Sequence, residues 1–154
     1  MVRVTYSRDR ASEFNLAEHL RYCDSQFKPR LSSRVNIDAY SKKLRRMATT
    51  FEAWSEQQLV GLVAVYINEN SVDAFVTSVS TFSTYQGTGI ASHLMKEMIK
   101  FCRISKASMI ELEVSPDSIQ AITLYQKIGF QKISDELSGT NKMIYLIESS
   151  EGKT

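Results

Sequence analysis

"STYQGTGIASHL", residues 83–94, sets two glycines two positions apart between a strand-like run and a helix-like one. The chain has only six glycines in 154 residues, so a close pair marks a local demand on the backbone. A glycine-rich turn ahead of a helix leaves several N–H groups without intrahelical partners, at the positive end of the helix dipole. Gly87 and Gly89 tolerate left-handed dihedrals and let a ligand approach bare backbone. The guest such a turn receives best is a phosphate. Two nucleotide signatures are excluded. No Lys–Ser/Thr pair follows, so this is not G-x-x-x-x-G-K-[ST], and Ser92 stands where G-x-G-x-x-G has its third glycine. Taken by itself, the loop also reads as a tight turn with no ligand.

Upstream, "TTFEAW" (49–54), "LVGLVAVYI" (59–67) and "DAFVTSVSTF" (73–82) read as three consecutive strands joined by short turns, the second of them "NENS" (68–71). The middle strand is apolar at nearly every position, the pattern of a strand covered on both faces. Earlier still, "VRVTY" (2–6) alternates as a first strand. A helix follows with Phe14, Leu16, Leu20 and Cys23 at helical spacing, then a polar loop over 24–36 containing Pro29. A second helix runs from Ile37 to near Ala48, with Tyr40, Leu44 and Met47 on one side.

Downstream, Ile90, Leu94, Met98 and Cys102 recur at every fourth position, which predicts an amphipathic helix ending near Ile104. "ASMIELEVS" (107–115) alternates, with Ile110, Leu112 and Val114 on one face and Glu111 and Glu113 on the other. Asp117 and Gln120 resemble a capping box for a helix striped by Ala121, Leu124, Tyr125 and Ile128, and Gly129 stops it. "FQKI" and "KMIYLI" read as two final strands, and 149–154 as a flexible tail. The expected order is strand, two helices, three strands, helix, strand, helix, two strands, forming a single domain over residues 1–148.

Composition narrows the function classes. Apolar residues make up 43% and charged residues 23%, as in an ordinary globular protein. A net charge of +2 is too small for a general nucleic-acid binder, and the basic run "KKLRR" (42–46) reads as a solvated helix face. Cys23 and Cys102 form no C-x-x-C pair and suggest buried free thiols rather than a disulfide framework. Two histidines and two cysteines scattered along the chain suggest no metal site. With no apolar signal core and no run of 18 apolar residues, the expectation is a cytoplasmic protein without a membrane partner, monomeric or homodimeric.

"YQGTGIASHLM" (85–95) resembles the Q/R-x-x-G-x-G/A motif of the GCN5-related N-acetyltransferases (GNAT), with Gln86, Gly89 and Ala91 in the specified positions. "LEVSPDSIQAITLYQKIGF" (112–130) is similar to the second half of that family's pattern: a strand ending in L-E-V, a helix bearing L-Y, then G-F. The resemblance covers residues 59–133. It implies an α/β (α+β) fold with a mixed, mostly antiparallel central sheet and helices on both faces. It also implies acetyl-CoA as co-substrate, no metal, and an amine acceptor. The pyrophosphate of CoA would rest on the turn formed by Gln86, Gly87, Thr88, Gly89, Ile90, Ala91 and Ser92. The pantetheine arm would lie alongside the strand before the loop, bonding backbone groups near Val79, Ser80 and Thr81, where that strand splays from the one carrying Glu111 and Glu113. An amide aimed at the thioester oxygen stabilises the developing oxyanion.

Acetyl transfer to an amine requires a neutral amine, a polarised carbonyl and a protonated leaving thiolate. Tyr125 is the expected acid; an ordinary tyrosine, with a pKa of about 10, holds its proton at neutral pH. The other reading of Tyr125 is a filler of the apolar stripe. Glu113 is the expected base. It stands twelve residues before Tyr125, the spacing of the base–acid pair in the ribosomal-protein N-terminal acetyltransferases that this stretch resembles. Glu111, Asp73 or a water relay stand in reserve, and a solvated strand carboxylate is the rival reading of Glu113. Ser118 occupies the place of the family's usual CoA-touching Asn and reads either as a replacement hydroxyl or as a helix N-cap. His93 reads as a surface residue. Arg30 and Arg34, in the loop expected to shape the acceptor cleft, suit an anionic group on the acceptor. The expected function is acetyl transfer from acetyl-CoA to a primary amine of a small molecule, such as an amino sugar or amino acid, by direct attack in a ternary complex. The rivals are a protein or peptide N-terminal acetyltransferase and a non-catalytic acyl-CoA sensor.

Overall fold

The apolar run at 59–67 lies at the heart of a seven-stranded sheet. The structure, a computed structural model, describes residues 3–68, 73–135 and 139–147. The chain forms β1 (Thr5–Arg8), α1 (Glu13–Tyr22), α2 (Ile37–Met47), β2 (Thr49–Ser55), β3 (Gln58–Ile67), β4 (Asp73–Thr81), α3 (Ile90–Ile104), β5 (Met109–Val114), α4 (Ile119–Ile128), β6 (Gln131–Asp135) and β7 (Asn141–Leu146). This is the expected order of elements, and the sheet is mixed and mostly antiparallel. Its strands run β1-β2-β3-β4-β5-β7-β6.

β3 is buried along most of its length because each face meets a different layer. Leu62 and Ala64 pack with Leu16 and Leu20 of α1 and Leu44 of α2. Val63 and Val65 pack with Leu94, Met98 and Cys102 of α3. Gly61 makes that second contact possible: a Cβ there would come within 2.6 Å of Ile90 Cγ2 and 3.2 Å of Ala53 Cβ. Both cysteines are buried as free thiols.

The one parallel pairing places the site. β4 pairs with β5 only through Asp73↔Met109, Ala74↔Ile110 and Phe75↔Glu111. Past Phe75, β4 stays paired with β3 and β5 with β7, so the two central strands part and leave a gap. A register shift in the β3/β4 pairing leaves Thr77 as an extra residue in β4, the form of a bulge.

Local details differ from the sequence reading in four places, the first being that β1 spans Thr5–Arg8 and not 2–6. Phe14 is 71% exposed; it lies two residues from Leu16, more than half a helical turn around the axis. Met47 ends α2 at 65% exposure instead of sharing the buried side with Leu44. The Asp117–Gln120 capping box does not form, because Ser118 is the N-cap of α4 and its side chain makes no capping bond. A full capping box stands instead at α1, between Ser12 and Asn15. The 149–154 tail and most of the 68–71 turn lie outside the described residues.

Glu52 fixes the start of the chain to the sheet. It is completely buried, and its carboxylate accepts from the backbone N–H groups of Arg10 (3.1 Å) and Ala11 (2.9 Å) and the hydroxyls of Ser7 and Thr50 (both 2.7 Å). These four donors satisfy a charge that no cation neutralises among the described residues.

Candidate active site

The glycine turn has the backbone its sequence demands. Gly87 has φ +81°, and Gly89, the N-cap of α3, has φ +87°. No side chain caps α3, so its first N–H groups face outward. A Cβ at either glycine would meet nothing within 4 Å. Glycine is required here by dihedral angle, and the space beside it is open. The turn is anchored by the Tyr85 hydroxyl, which donates to Ser55 Oγ at 2.8 Å, and by the Thr88 hydroxyl, which donates to the Tyr85 carbonyl.

A cleft of about 510 Å³ opens in front of this turn. Of the residues expected to hold CoA, Val79, Ser80, Thr81, Gln86, Gly87, Gly89, Ile90, Ala91, Ser92 and Ser118 all line it. Thr88 does not; its hydroxyl is turned back on the loop. A second cleft, of about 340 Å³, lies across the β4/β5 gap and is lined by Arg34, Tyr40, Thr77, Ser78 and Glu113 among others. β4 runs through both. Thr77 and Ser78 belong to the second cleft, Ser80 and Thr81 to the first, and Val79 to both. Tyr125, Ala121 and Ser118 of the α4 segment are also shared. Residues 26–28 cover the junction, where Lys28 Nζ donates to the Asp117 carbonyl at 3.4 Å.

Tyr125 is buried at this junction, and burial pushes its phenol above the ordinary tyrosine range. The hydroxyl therefore keeps its proton throughout the range in which an amine becomes neutral. Glu113 is exposed on β5 and lines the second cleft only. Glu111 faces Lys142, whose Nζ lies 3.8 Å from Glu111 Oε2, and Asp73 sits where β4 and β5 still pair. Neither lines either of these clefts. Arg34 lines the second cleft; Arg30 lines neither and lies 3.9 Å from Asp24 Oδ2. His93 is exposed, outside both clefts, and stacks on Tyr6 at 3.9 Å between ring centroids.

Several side chains at the site carried no sequence signal of their own, although Thr81 was expected to contribute its backbone. Ser78 Oγ and Thr81 Oγ1 are buried without hydrogen-bond partners, one against each cleft. Small polar residues inside a buried strand, "VTSVST", were the available clue. The Tyr40 hydroxyl donates to the Thr77 carbonyl at 3.0 Å and lies 2.6 Å from Thr77 Oγ1; burial leads its shift up to about 12. His19 lies behind β4, with Nδ1 2.8 Å from the Leu59 carbonyl and Nε2 2.8 Å from Ser80 Oγ. A carbonyl only accepts, so Nδ1 carries the hydrogen and Nε2 receives the Ser80 hydroxyl. Burial lowers His19 to about 4 and raises the adjacent Cys23 thiol to about 12. Both are held neutral, the opposite of an activated thiolate–imidazolium pair.

A sheet split between two parallel strands, with a glycine turn and a bare helix N-terminus at the split, is the arrangement that the resemblance to the GCN5-related N-acetyltransferases implies. Residues 13–130 match the Acetyltransferase (GNAT) family, and the chain belongs to that family. It is 29% identical over 79 residues to the N-alpha-acetyltransferase RimI of Mycobacterium tuberculosis, covering 51% of this chain and 45% of that protein. It is 39% identical over 70 residues to the L-amino acid N-acetyltransferase AaaT of Escherichia coli, covering 45% and 40%. The chain thus spans less than half the length of the curated relatives it matches. Its fold matches a PaiA N-acetyltransferase of Thermoplasma acidophilum solved in complex with coenzyme A, with a TM-score of 0.72 at 13% identity over 93% of this chain and 99% of that one. Among the described residues, no helix is long and apolar enough to cross a membrane, and no group of three or more His, Cys, Asp or Glu is placed to hold a metal.

Proposed function

We propose that this chain is an N-acetyltransferase that moves an acetyl group from acetyl-CoA to a primary amine by direct attack within a ternary complex. The observation that carries the reading is the meeting of two clefts at Val79 and Tyr125. One cleft offers open backbone at a helix N-terminus, suited to the CoA pyrophosphate. The other offers a carboxylate and room for an amine. With both occupied, the nucleophile and the thioester meet beside β4, so no covalent enzyme intermediate is needed.

In this mechanism the amine gives its proton to Glu113, directly or through water, and attacks the thioester carbonyl. A C–N bond forms and the C–S bond breaks. Backbone groups of β4 near Val79 stabilise the oxyanion, and Tyr125 gives its proton to the departing sulfur and regains one from the second proton lost by the amine nitrogen as the amide forms. Ser118, with its hydroxyl free of capping duty, and the unpartnered Thr81 hydroxyl, both lining the first cleft, would bond the pantetheine arm.

Tyr125→Phe is expected to lower kcat by about 100-fold, as loss of a general acid does, with a much smaller change in KM for acetyl-CoA. Varying both substrates should give intersecting double-reciprocal lines. Parallel lines would replace direct attack with a covalent intermediate. A peptide N-terminus is the second reading, favoured by the likeness to the mycobacterial RimI; comparing peptides with small amines as acceptors separates the two.

A further inference from the structure

The second cleft is lined by unmet polar groups, and their role as a binding site rests on the acetyl-transfer reading of the molecule. Three arginines lie on or beside the α1–α2 connection. Arg21 pairs with Asp38, and Arg30 lies 3.9 Å from Asp24. The Arg34 guanidinium has no ion-pair or hydrogen-bond partner among the described residues, its backbone N–H alone bonding the Leu31 carbonyl, yet it is the arginine that lines the cleft. Ser78 Oγ, on the cleft's β4 side, is a second unmet group. Its residue is only 5% exposed, and it sits near the Tyr40 hydroxyl without forming a hydrogen bond of normal geometry. Buried hydroxyls without partners are unfavourable, and an acceptor atom from a ligand relieves them.

The charges are also ordered. Lys28 and Arg34 come from the loop that covers the cleft, whereas Glu113, on β5, is the one carboxylate among its described lining residues. The lining therefore has one positive charge in excess and draws its two signs from different elements. A plain amine or polyamine would satisfy Glu113 and leave Arg34 and Ser78 unanswered. A peptide N-terminus would bring a neutral amide carbonyl to the position beside its amine. An amine that also bears an anion answers all three: ammonium toward Glu113 on entry, anion on the Arg34 fork, and Ser78 donating a further hydrogen bond.

We propose that the acceptor is a small amine carrying an anionic group, a carboxylate or a phosphate, which Arg34 and Ser78 bind while the amine faces Glu113 and Tyr125.

The test measures CoA thiol release from acetyl-CoA with matched acceptors: free L-amino acids against their amides, 2-aminoethyl phosphate against ethanolamine, and tripeptides and a polyamine alongside. The anionic member of at least one pair is expected to show a higher kcat/KM through a lower KM, and the two pairs tell carboxylate from phosphate. Arg34→Gln should cut that preference by about tenfold to a hundredfold, the worth of a charge-assisted bond, with KM for acetyl-CoA within about twofold. Arg34→Glu should reverse it. Preference for amides, tripeptides or the polyamine, or an anionic preference that survives Arg34→Gln, overturns this inference and leaves acetyl transfer standing. Absence of amine-dependent release with every acceptor brings down both.

Discussion

Glycines 61, 87 and 89 are the same residue type for two different reasons. Gly89 needs a positive φ and faces open space, whereas Gly61 has no unusual φ and is hemmed in by Ile90 and Ala53. Gly89→Ala therefore costs backbone strain alone, about 1 kcal/mol, or about 2–4 °C in melting temperature for a domain of this size. Its larger effect should be on acetyl-CoA affinity, since the new Cβ stands in the space proposed for the pyrophosphate. Gly61→Ala forces α3 off the sheet and should cost about 1–3 kcal/mol, the usual range for overpacking. Calorimetric melting and acetyl-CoA titration of both variants check the pair. A Gly89→Ala protein that melts below Gly61→Ala and binds acetyl-CoA normally would make the turn merely structural. The sequence was informative about Gly89, where a motif surrounds it. It was silent about Gly61, whose constraint comes from residues 29 and 8 positions away along the chain.

At the scale of elements, α1 is fixed to the sheet by two buried polar anchors. His19 joins it to Leu59 of β3 and Ser80 of β4, and Glu52 holds the turn that leads into it. Burial lowers His19 to about 4 in the folded chain, against about 6.5 unfolded. Between these values the unfolded chain binds the extra proton. Stability is thus unaffected above pH 6.5 and falls as pH drops below it, the loss reaching about 3 kcal/mol by pH 4. Urea denaturation at pH 7 and pH 4.5 should show the wild type losing more stability over that interval than His19→Gln, which has no titrating ring. Equal losses would mean that His19 is not held neutral. Glu52→Gln points an amide NH₂ at existing donors and is expected to cost about 2 kcal/mol or more at pH 7; a variant as stable as wild type would show that the turn does not depend on the carboxylate. Element type and order were legible because periodicities of 2 and 3.6 are written locally. Helix ends were less so. Asp117 and Gln120 have the spacing of a cap, but α4 begins with Ser118 at the N-cap, and the Ser12–Asn15 box uses an Asn where the pattern favours Glu or Gln.

For the molecule as a whole, the second cleft exists because two central strands stop pairing. Periodicity identifies β4 and β5 as strands but does not say that they are neighbours, parallel, and paired over only three residues. That feature was reached through the resemblance of two motifs, at 85–95 and 112–130, which the fold brings to the two sides of one gap. The cleft proposed for the donor was legible because open backbone at a glycine turn forms it, and glycine spacing reports backbone. The acceptor half was not. It is assembled from contacts such as Lys28 with Asp117, 89 residues apart, and only the structure separates Arg34 in the cleft from Arg30 beside Asp24. The most direct measurement of the central claim is CoA thiol release from acetyl-CoA, with and without amines, for wild type and Tyr125→Phe. Two clefts joined at Tyr125 predict release that requires an amine, yields N-acetylated product in equal amount, and falls by about 100-fold in the variant. Release that proceeds without an amine, or tight acetyl-CoA binding with no release for any amine, would contradict it.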